Sequence, residues 1–294
     1  MAEDAGTLLI RIRAAMPALR PSERRVAEEF AVAPGAAANL SIAQVAARCR
    51  TSTTSVVRFY QRMGYAHYKD FRIDLARAVA RDELVTSSLP EASGDIDRHD
   101  SLGGIVSKLA MSETLSIADT ARSMDLEALA EAVALLARAR RIDGFGVGAS
   151  SLVGLDLQQK LSRIGRTAIN WPDAHSAWTA AATLDRACVA VAVSHTGATV
   201  DTVEFLAIAR RSGASTVAVT NFRDSPLAAA ADVTLTTAAR ETRFRPAALG
   251  SRIAQLMVVD CLFTGVAQAS YDASMAALRD TYAVVHDRVI HKRA

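Results

Sequence analysis

Between residues 187 and 213 the chain reads ACVAVAVSHTGATVDTVEFLAIARRSG, and its polar turn gathers Ser194, His195, Thr196, Gly197 and Thr199 directly after an uncharged apolar run. Three hydroxyls at this spacing can donate to an anion. If a helix begins straight after them, its first backbone N–H groups lack intrahelical acceptors and lie at the positive end of the helix dipole, so a bound anion gains hydrogen bonds and field together. Gly197 removes a Cβ where a ligand would approach the backbone. No Lys or Arg occurs in the turn, which excludes a Walker-type cradle with its Gly-Lys-Ser/Thr. A phosphate held by neutral donors fits these residues, although an ordinary capped strand-to-helix turn favours the same Ser and Thr positions.

A second glycine-rich turn, Gly144-x-Gly146-x-Gly148-Ala149, is followed by Ser150 and Ser151. Glycines after a first strand also cradle the pyrophosphate of a dinucleotide, but that chemistry needs an acid at the end of the second strand. Here that position reads Asn170, Trp171 and Pro172, with Asp173 arriving late, so a nicotinamide site is disfavoured and the hydroxyls favour phosphate again. The six His residues show no metal-ligating spacing, and no triad or zinc constellation emerges. Cys49, Cys188 and Cys261 are odd in number, far apart and set in apolar segments, as expected of reduced thiols in a reducing compartment. The residues therefore call for no cofactor, no metal and no catalytic group.

The elements that must position these turns follow from periodicity. Residues 187–193 are too short and too uniformly apolar for a helix and predict a strand buried on both faces. From Ala198 the apolar positions Val200, Val203, Phe205, Leu206 and Ile208 recur at helical spacing until Gly213. Further strands are expected at 141–147, 167–171, 215–219 and 233–236. They alternate with helices at 102–124, 126–139, 174–183 and one through Leu152, Leu155, Leu157 and Leu161. Such alternation predicts an α/β doubly wound parallel sheet. Residues 241–268 open with mixed charge, including Glu241, Arg243, Arg245, Ser251 and Arg252. They become an apolar helix through Ile253, Leu256, Met257, Val259, Leu262 and Val266.

The first part of the chain is different. Helical spacing at 7–16 and 22–32, with Pro34-Gly35 as a stop, precedes a pair of short helices within 40–65. Ser41 caps the first, whose apolar face is Ile42, Val45 and Ala46. The second starts near Ser52 or Thr53, turns Val56, Phe59, Tyr60 and Met63 inward and ends at Gly64. Two helices joined by a tight turn, the second opening on small hydroxyl residues, form the layout of a helix-turn-helix DNA reader in an all-α domain. Its candidate contacts to double-stranded DNA are Ser52, Thr53, Thr54, Ser55, Arg58, Gln61 and Arg62. A solvated basic face would carry the same residue types. One departure stands out: Arg50 occupies the turn position where Gly is common and φ is positive. A further helix at 67–81, through Tyr68, Phe71, Ile73 and Leu75, completes that core.

The totals agree with two domains. With 294 residues and 50% hydrophobic content the chain can bury a large core, and its net charge of +3 is only mildly basic. The positive charge is local: residues 1–85 hold 13 Lys and Arg against 9 Asp and Glu, and the remainder 21 against 22. Residues 85–100, VTSSLPEASGDIDRHD, lack apolar periodicity and read as a linker, dividing the chain into 1–84, 85–100 and 101–294. No N-terminal signal pattern appears, and charges break the apolar runs short of about 18 residues, so a cytoplasmic protein with no membrane span is expected.

The phrase VSHTGATVD resembles the Ser-x-Ser/Thr-Gly-x-Thr phosphate loop of sugar isomerase (SIS) domains, which bind phosphorylated sugars. That resemblance implies a flavodoxin-like strand order 2-1-3-4-5 in which the loop after the first strand faces the loop after the third. It implies an effector site made of Ser150, Ser151, Ser194, His195, Thr196, Gly197 and Thr199. Glu241 resembles the position from which isomerases of that family supply a carboxylate near the sugar. Together with SVVRFYQRMGY and ETRFRPAALGSRIAQL, nearly the whole chain resembles the RpiR-type bacterial transcriptional regulators. The resemblance implies a regulator that binds an operator in double-stranded DNA and a phosphorylated sugar, working as a homodimer or higher homo-oligomer. The alternative is a phosphosugar isomerase or lyase with an accessory N-terminal domain, for which Glu241 and His195 offer acid and base.

Overall fold

Uncharged runs of Val, Ala and Cys too short for a helix bury both faces in a sheet covered on both sides, and this is what they form. The computed structural model describes residues 6–86, 96–240 and 248–286. Five strands, β1 (Arg141–Gly146), β2 (Ala168–Asn170), β3 (Cys188–Val193), β4 (Ser215–Thr220) and β5 (Val233–Thr236), make one all-parallel sheet of order β2-β1-β3-β4-β5. Gly146 is in register with Val193, and Val193 with Val219, so the chain leaves β1, β3 and β4 along one common edge.

The chain divides into two compact units, residues 124–237 with 251–294 and residues 1–123 with 238–250. In the α/β unit, alternate residues of β3 serve different helices. Val189, Val191 and Val193 face a core shared with α8 (Leu126–Arg138), α9 (Ala149–Arg163) and α13 (Leu249–Ala269). Cys188, Ala190 and Ala192 face the other core, with α10 (Ala174–Ala181), α11 (Val200–Arg211) and α12 (Pro226–Ala230). The small side chains on that face leave room for Phe145 and Phe205, whose ring centroids lie 5.6 Å apart. A last helix, α14 (Tyr271–His286), follows. Among the described helices, α13 is long and apolar enough to cross a membrane, but Ala254, Val258, Val259, Leu262 and Val266 are buried in this core.

The other unit holds α1 (Gly6–Ala15), α2 (Pro21–Val32), α3 (Pro34–Ala37), α4 (Ile42–Arg48), α5 (Thr53–Arg62), α6 (Tyr68–Thr86) and α7 (Leu102–Ser123). Phe30, Phe59 and Phe71 form its centre, stacked or edge-on at 4.9–5.9 Å between ring centroids. Helix α6 runs into the stretch read as a linker, and residues 87–95 lie outside the described residues. Helix α7, although it follows that stretch, belongs to the same compact unit as the reader helices.

Several local expectations are corrected. Helix α2 ends at Val32, before Pro34-Gly35 as expected, but Pro34, lacking an N–H, then opens the short α3, which was not anticipated. Ile73, Leu152 and Leu155 are exposed. On α9 the buried stripe is Val153, Leu157 and Leu161, spaced by four, and Leu152 and Leu155 fall beside it. Helix α12 was not anticipated, being only five residues long and started by a Ser225 cap.

Asp119 on α7, 1% exposed, is the main electrostatic anchor of the reader's unit. It accepts hydrogen bonds from Arg13 on α1 (2.7 Å), Arg122 (3.0 Å) and Arg240 (2.8 Å), and Arg240 also pairs with Asp82 on α6 at 2.7 Å. Burial and the neighbouring Arg240 pull Arg13 down to about 10. Burial also acts to lower Arg240, but hydrogen bonds and attraction from two carboxylates outweigh it and hold that group above its ordinary value. The difference follows from sharing: Arg13 divides one carboxylate with two other guanidinium groups. Removing that carboxylate leaves buried cations uncompensated, which costs about 3–5 kcal/mol. Asp119→Ala is expected to lose stability of that order in urea unfolding, and a loss under about 1 kcal/mol would show that the arginines find water instead.

Candidate functional site

The β3–α11 turn is built by its own hydrogen bonds. The Ser194 side chain, 3% exposed, lies with its Oγ 3.1 Å from Thr199 Oγ1 and accepts the Gly197 N–H at 3.2 Å. Thr196 Oγ1 accepts from the Ala198 N–H at 3.2 Å. The His195 carbonyl takes the Thr220 hydroxyl (3.2 Å) and the Asn221 N–H (3.0 Å), and the Gly197 carbonyl takes the Leu227 N–H at 2.8 Å. The His195 ring stands edge-on to Phe222 at 5.7 Å. Thr199 is the N-cap of α11, yet its side chain makes no cap hydrogen bond, so the helix start is not closed by the protein's own hydroxyl. Asp201 in that first turn already places a carboxylate in the helix field. Binding of a further anion there rests on hydrogen bonds more than on charge.

The β1–α9 turn lies alongside, because β1 and β3 are neighbours and end in register. Gly148 is the N-cap of α9 at φ +62°, without a side-chain cap bond. Ser151 donates to the Gly148 carbonyl at 2.8 Å, so its hydroxyl stiffens the turn. Ser150 turns the other way and donates to Gln255 Oε1 on α13 at 3.4 Å. This junction, where lateral winding reverses between β1 and β3, is where open α/β sheets form a crevice. Ser150, Ser151, Ser194, His195, Thr196, Gly197 and Thr199 are thus assembled on two adjoining turns. Glu241 lies outside the described residues. Gln255 was passed over in the sequence because α13 reads as an apolar helix.

Gly197 is needed for a reason other than ligand approach. It sits at φ +62°, and a Cβ would come within 3.0 Å of Ser225 Oγ, Ser225 Cβ and Thr220 Oγ1. The dinucleotide alternative finds no acid: Asn170 packs its amide against Gly144 and Gly154, and Asp173 spends both oxygens on the Ser176 N–H and hydroxyl at the start of α10. Among the described residues, no three His, Cys, Asp or Glu side chains are grouped to hold a metal ion. Burial pushes the thiols of Cys49, Cys188 and Cys261 up, which favours the unreactive protonated form.

In the reader, Ser41 and Gln44 form a capping box for α4. Arg50 stands at φ +48°, and the turn does not relax to avoid this. Its backbone is held by Arg50 N–H to the Ala47 carbonyl and Thr51 N–H to the Ala46 carbonyl, while Arg25 donates to the carbonyls of Cys49 and Arg50. Ser52 caps α5 by accepting the Ser55 N–H, and the two hydroxyls lie 3.1 Å apart. Thr53, Thr54, Arg58 and Gln61 are exposed. Arg62 is exposed too, with its Nε 3.4 Å from Glu23 Oε2, an ion pair without hydrogen-bond geometry. Arg20, missed in the sequence, lines the same shallow depression as Arg58, Gln61 and Arg62.

The crowding at Gly197 yields a direct expectation. Gly197→Ala combines a positive φ with overlap against Ser225 and should cost about 2–4 kcal/mol in denaturant unfolding. A loss under about 1 kcal/mol would show that Ser225 can swing away.

Comparison with known proteins places both halves. Residues 6–82 match the helix-turn-helix domain of the rpiR family, and residues 135–265 match the SIS domain. The chain is 34% identical to an uncharacterised HTH-type transcriptional regulator from Caldanaerobacter subterraneus, covering 95% of this chain and 97% of that one. It is 32% identical to another from Bacillus subtilis, covering 91% and 93%. Among solved structures, the Vibrio vulnificus NanR protein complexed with ManNAc-6P is similar at a TM-score of 0.58 and 30% identity, covering 95% of this chain and 98% of NanR.

Proposed function

The chain belongs to the rpiR family of HTH-type transcriptional regulators that carry a SIS domain, and from that premise we propose that it senses a phosphorylated sugar and adjusts its hold on operator DNA accordingly. One observation carries the reading of the sensor: the two hydroxyl turns after β1 and β3 adjoin at the point where the sheet reverses, and neither helix start is capped by its own N-cap side chain. The similar NanR was solved with ManNAc-6P, which supports a phosphosugar as the ligand class.

In this proposal Ser194, Thr196, Thr199 and the first N–H groups of α11 take the phosphate, as neutral donors around an anion. Ser150 reaches the ligand from the neighbouring turn, Ser151 and Gly197 keep the two turns in shape, and His195 with Phe222 forms a wall. Glu241 is assigned to the sugar as a hydrogen-bonding carboxylate. Binding there shifts the protein between states that differ in DNA affinity. The reading needs no turnover, so an assay for aldose–ketose interconversion is expected to stay at background.

For DNA, α5 enters the major groove by its N-terminal end. Thr53 and Thr54 meet base edges or thymine methyls, Arg58 and Gln61 reach bases or phosphates, and Ser52, Ser55 and Arg62 hold the helix start and flank it. Half-sites related by a two-fold axis call for a homodimer or higher homo-oligomer. By sequence we assign residues 1–84 to the reader, 85–100 to a linker and 101–294 to the sensor, in a cytoplasmic protein, with α7 of the last stretch packing in the reader's compact unit.

Two measurements test this. Calorimetry with a phosphosugar panel should show that changing both Ser194 and Thr196 to Ala weakens binding by two orders of magnitude or more, at about 1–3 kcal/mol for each hydrogen bond to a charged group. Equal affinity of the wild type for a phosphosugar and its unphosphorylated parent would remove the phosphate assignment. Arg58→Ala should weaken operator binding by about 1–3 kcal/mol in anisotropy titrations if it makes a bidentate base contact. An even loss on scrambled DNA would place it on phosphate, and no loss on either would take it out of the interface.

A further inference from the structure

Helix α13 carries its buried stripe through Ser251, Ala254, Gln255, Val258, Val259, Leu262 and Val266. From Val258 onward the stripe is apolar and belongs to the core beneath the sheet. Its first part is polar. Gln255 is 1% exposed, its Oε1 accepts from Ser150 Oγ at 3.4 Å, and its Nε2 is buried with no hydrogen-bond partner. A buried amide N–H left unpaired is costly, and an apolar side chain of similar size would fill the same space without that penalty.

The position of this orphan is informative. Ser150 belongs to the turn after β1, which adjoins the hydroxyl turn after β3. Gly146 brings that turn close to its strand, since a Cβ there would lie within 3.0 Å of the Ser150 carbonyl group. Gln255 therefore reaches the β1–α9 turn at Ser150 from α13, which packs on the sheet face opposite to α11. Ser150 already spends its hydroxyl proton on Gln255 Oε1, so the donor left open on this side is the amide Nε2, which needs an acceptor oxygen such as those a sugar carries along its carbon chain.

We propose that the Gln255 amide nitrogen donates to a hydroxyl or carbonyl oxygen of the bound phosphosugar, making Gln255 and Ser150 the pair that reads the sugar while the β3–α11 turn reads the phosphate. This inference rests on the phosphosugar reading above and deepens it. It names a specificity-determining residue and a ligand class: a phosphorylated polyol or sugar with an oxygen acceptor within reach of α13. The amide stays unpaired in the free protein, and the ligand completes it. Selection against a bare phosphate then arises because only a ligand with that oxygen satisfies the group.

The test uses the full-length protein with Gln255→Met and Gln255→Leu, titrated calorimetrically with ManNAc-6P, glucose 6-phosphate and ribose 5-phosphate, and by competition with inorganic phosphate. The variants should bind the best sugar phosphate about tenfold or more weakly, while inorganic phosphate competes as it does in the wild type. Their unfolding midpoints without ligand should match or exceed that of the wild type, because the unpaired amide is gone. A purely structural Gln255 predicts the opposite pattern: lower midpoints, with sugar phosphate and phosphate weakened in proportion. That result would overturn the proposal, as would unchanged sugar-phosphate affinity in both variants. If the wild type binds no phosphosugar and no phosphate, the sensor reading itself falls and this assignment with it. If the wild type binds and the variants match it, this assignment alone falls.

Discussion

A parallel sheet forces every strand to end at the same edge, and the order β2-β1-β3-β4-β5 makes two of those ends diverge in their connections where β1 and β3 lie side by side. Much else in the α/β unit depends on that constraint. Helices α9 and α11 must leave in opposite lateral directions, so their N-termini flank one crevice. The β3–β4 ladder runs one step into these turns, Ser194 N–H to the Val219 carbonyl and Asn221 N–H to the His195 carbonyl. Beyond it the side chains of Ser194, Thr196 and Ser151, with the Thr220 hydroxyl and Leu227 N–H donating to the His195 and Gly197 carbonyls, knit them together. The internal bonding leaves a stiff frame with polar atoms on it, which suits recognition by preorganised donors.

The reader's unit is governed by a different interaction. Its centre is aromatic, but α1, α6 and α7 are also tied through Asp119 and Asp82 to Arg13, Arg122 and Arg240. Buried ion pairs add little net stability, and their value is more often that only one arrangement satisfies them. Arg240 lies four residues beyond the end of β5, so a segment that leaves the sheet supplies a cation to the reader's unit. The strained Arg50 turn shows a similar balance: a positive φ is tolerated because Arg25 and two backbone hydrogen bonds hold the turn from both sides.

Much of this was legible in the sequence, for physical reasons. Strands such as CVAVAV have no amphipathic helix to compete with, and hydroxyl turns between such a strand and a helix announce their place at the sheet edge. The α4–α5 pair declared itself through Ser41, Ser52 and Gly64, which cap or end helices by local chemistry alone. What depends on tertiary packing was less legible. Leu152, Leu155 and Ile73 are exposed because burial follows a stripe fixed by neighbours, whereas leucine spacing allowed more than one face. The need for glycine at 197 comes from Ser225, nearly thirty residues later, and no local pattern contains it. Gln255 was hidden because one amide in an apolar helix hardly changes its periodicity, and only its burial reveals it.

In the proposed function, one chain couples a phosphosugar at the β1–β3 crevice to DNA at α5. The most direct measurement is linkage: fluorescence anisotropy of labelled operator DNA at increasing protein, with and without saturating phosphosugar, paired with calorimetry of the phosphosugar with and without saturating DNA. The sugar phosphate is expected to shift DNA affinity by roughly 5- to 150-fold, DNA to shift sugar-phosphate affinity by the same factor, and the unphosphorylated sugar to shift neither. DNA affinity that stays the same while the phosphosugar saturates its site would contradict it.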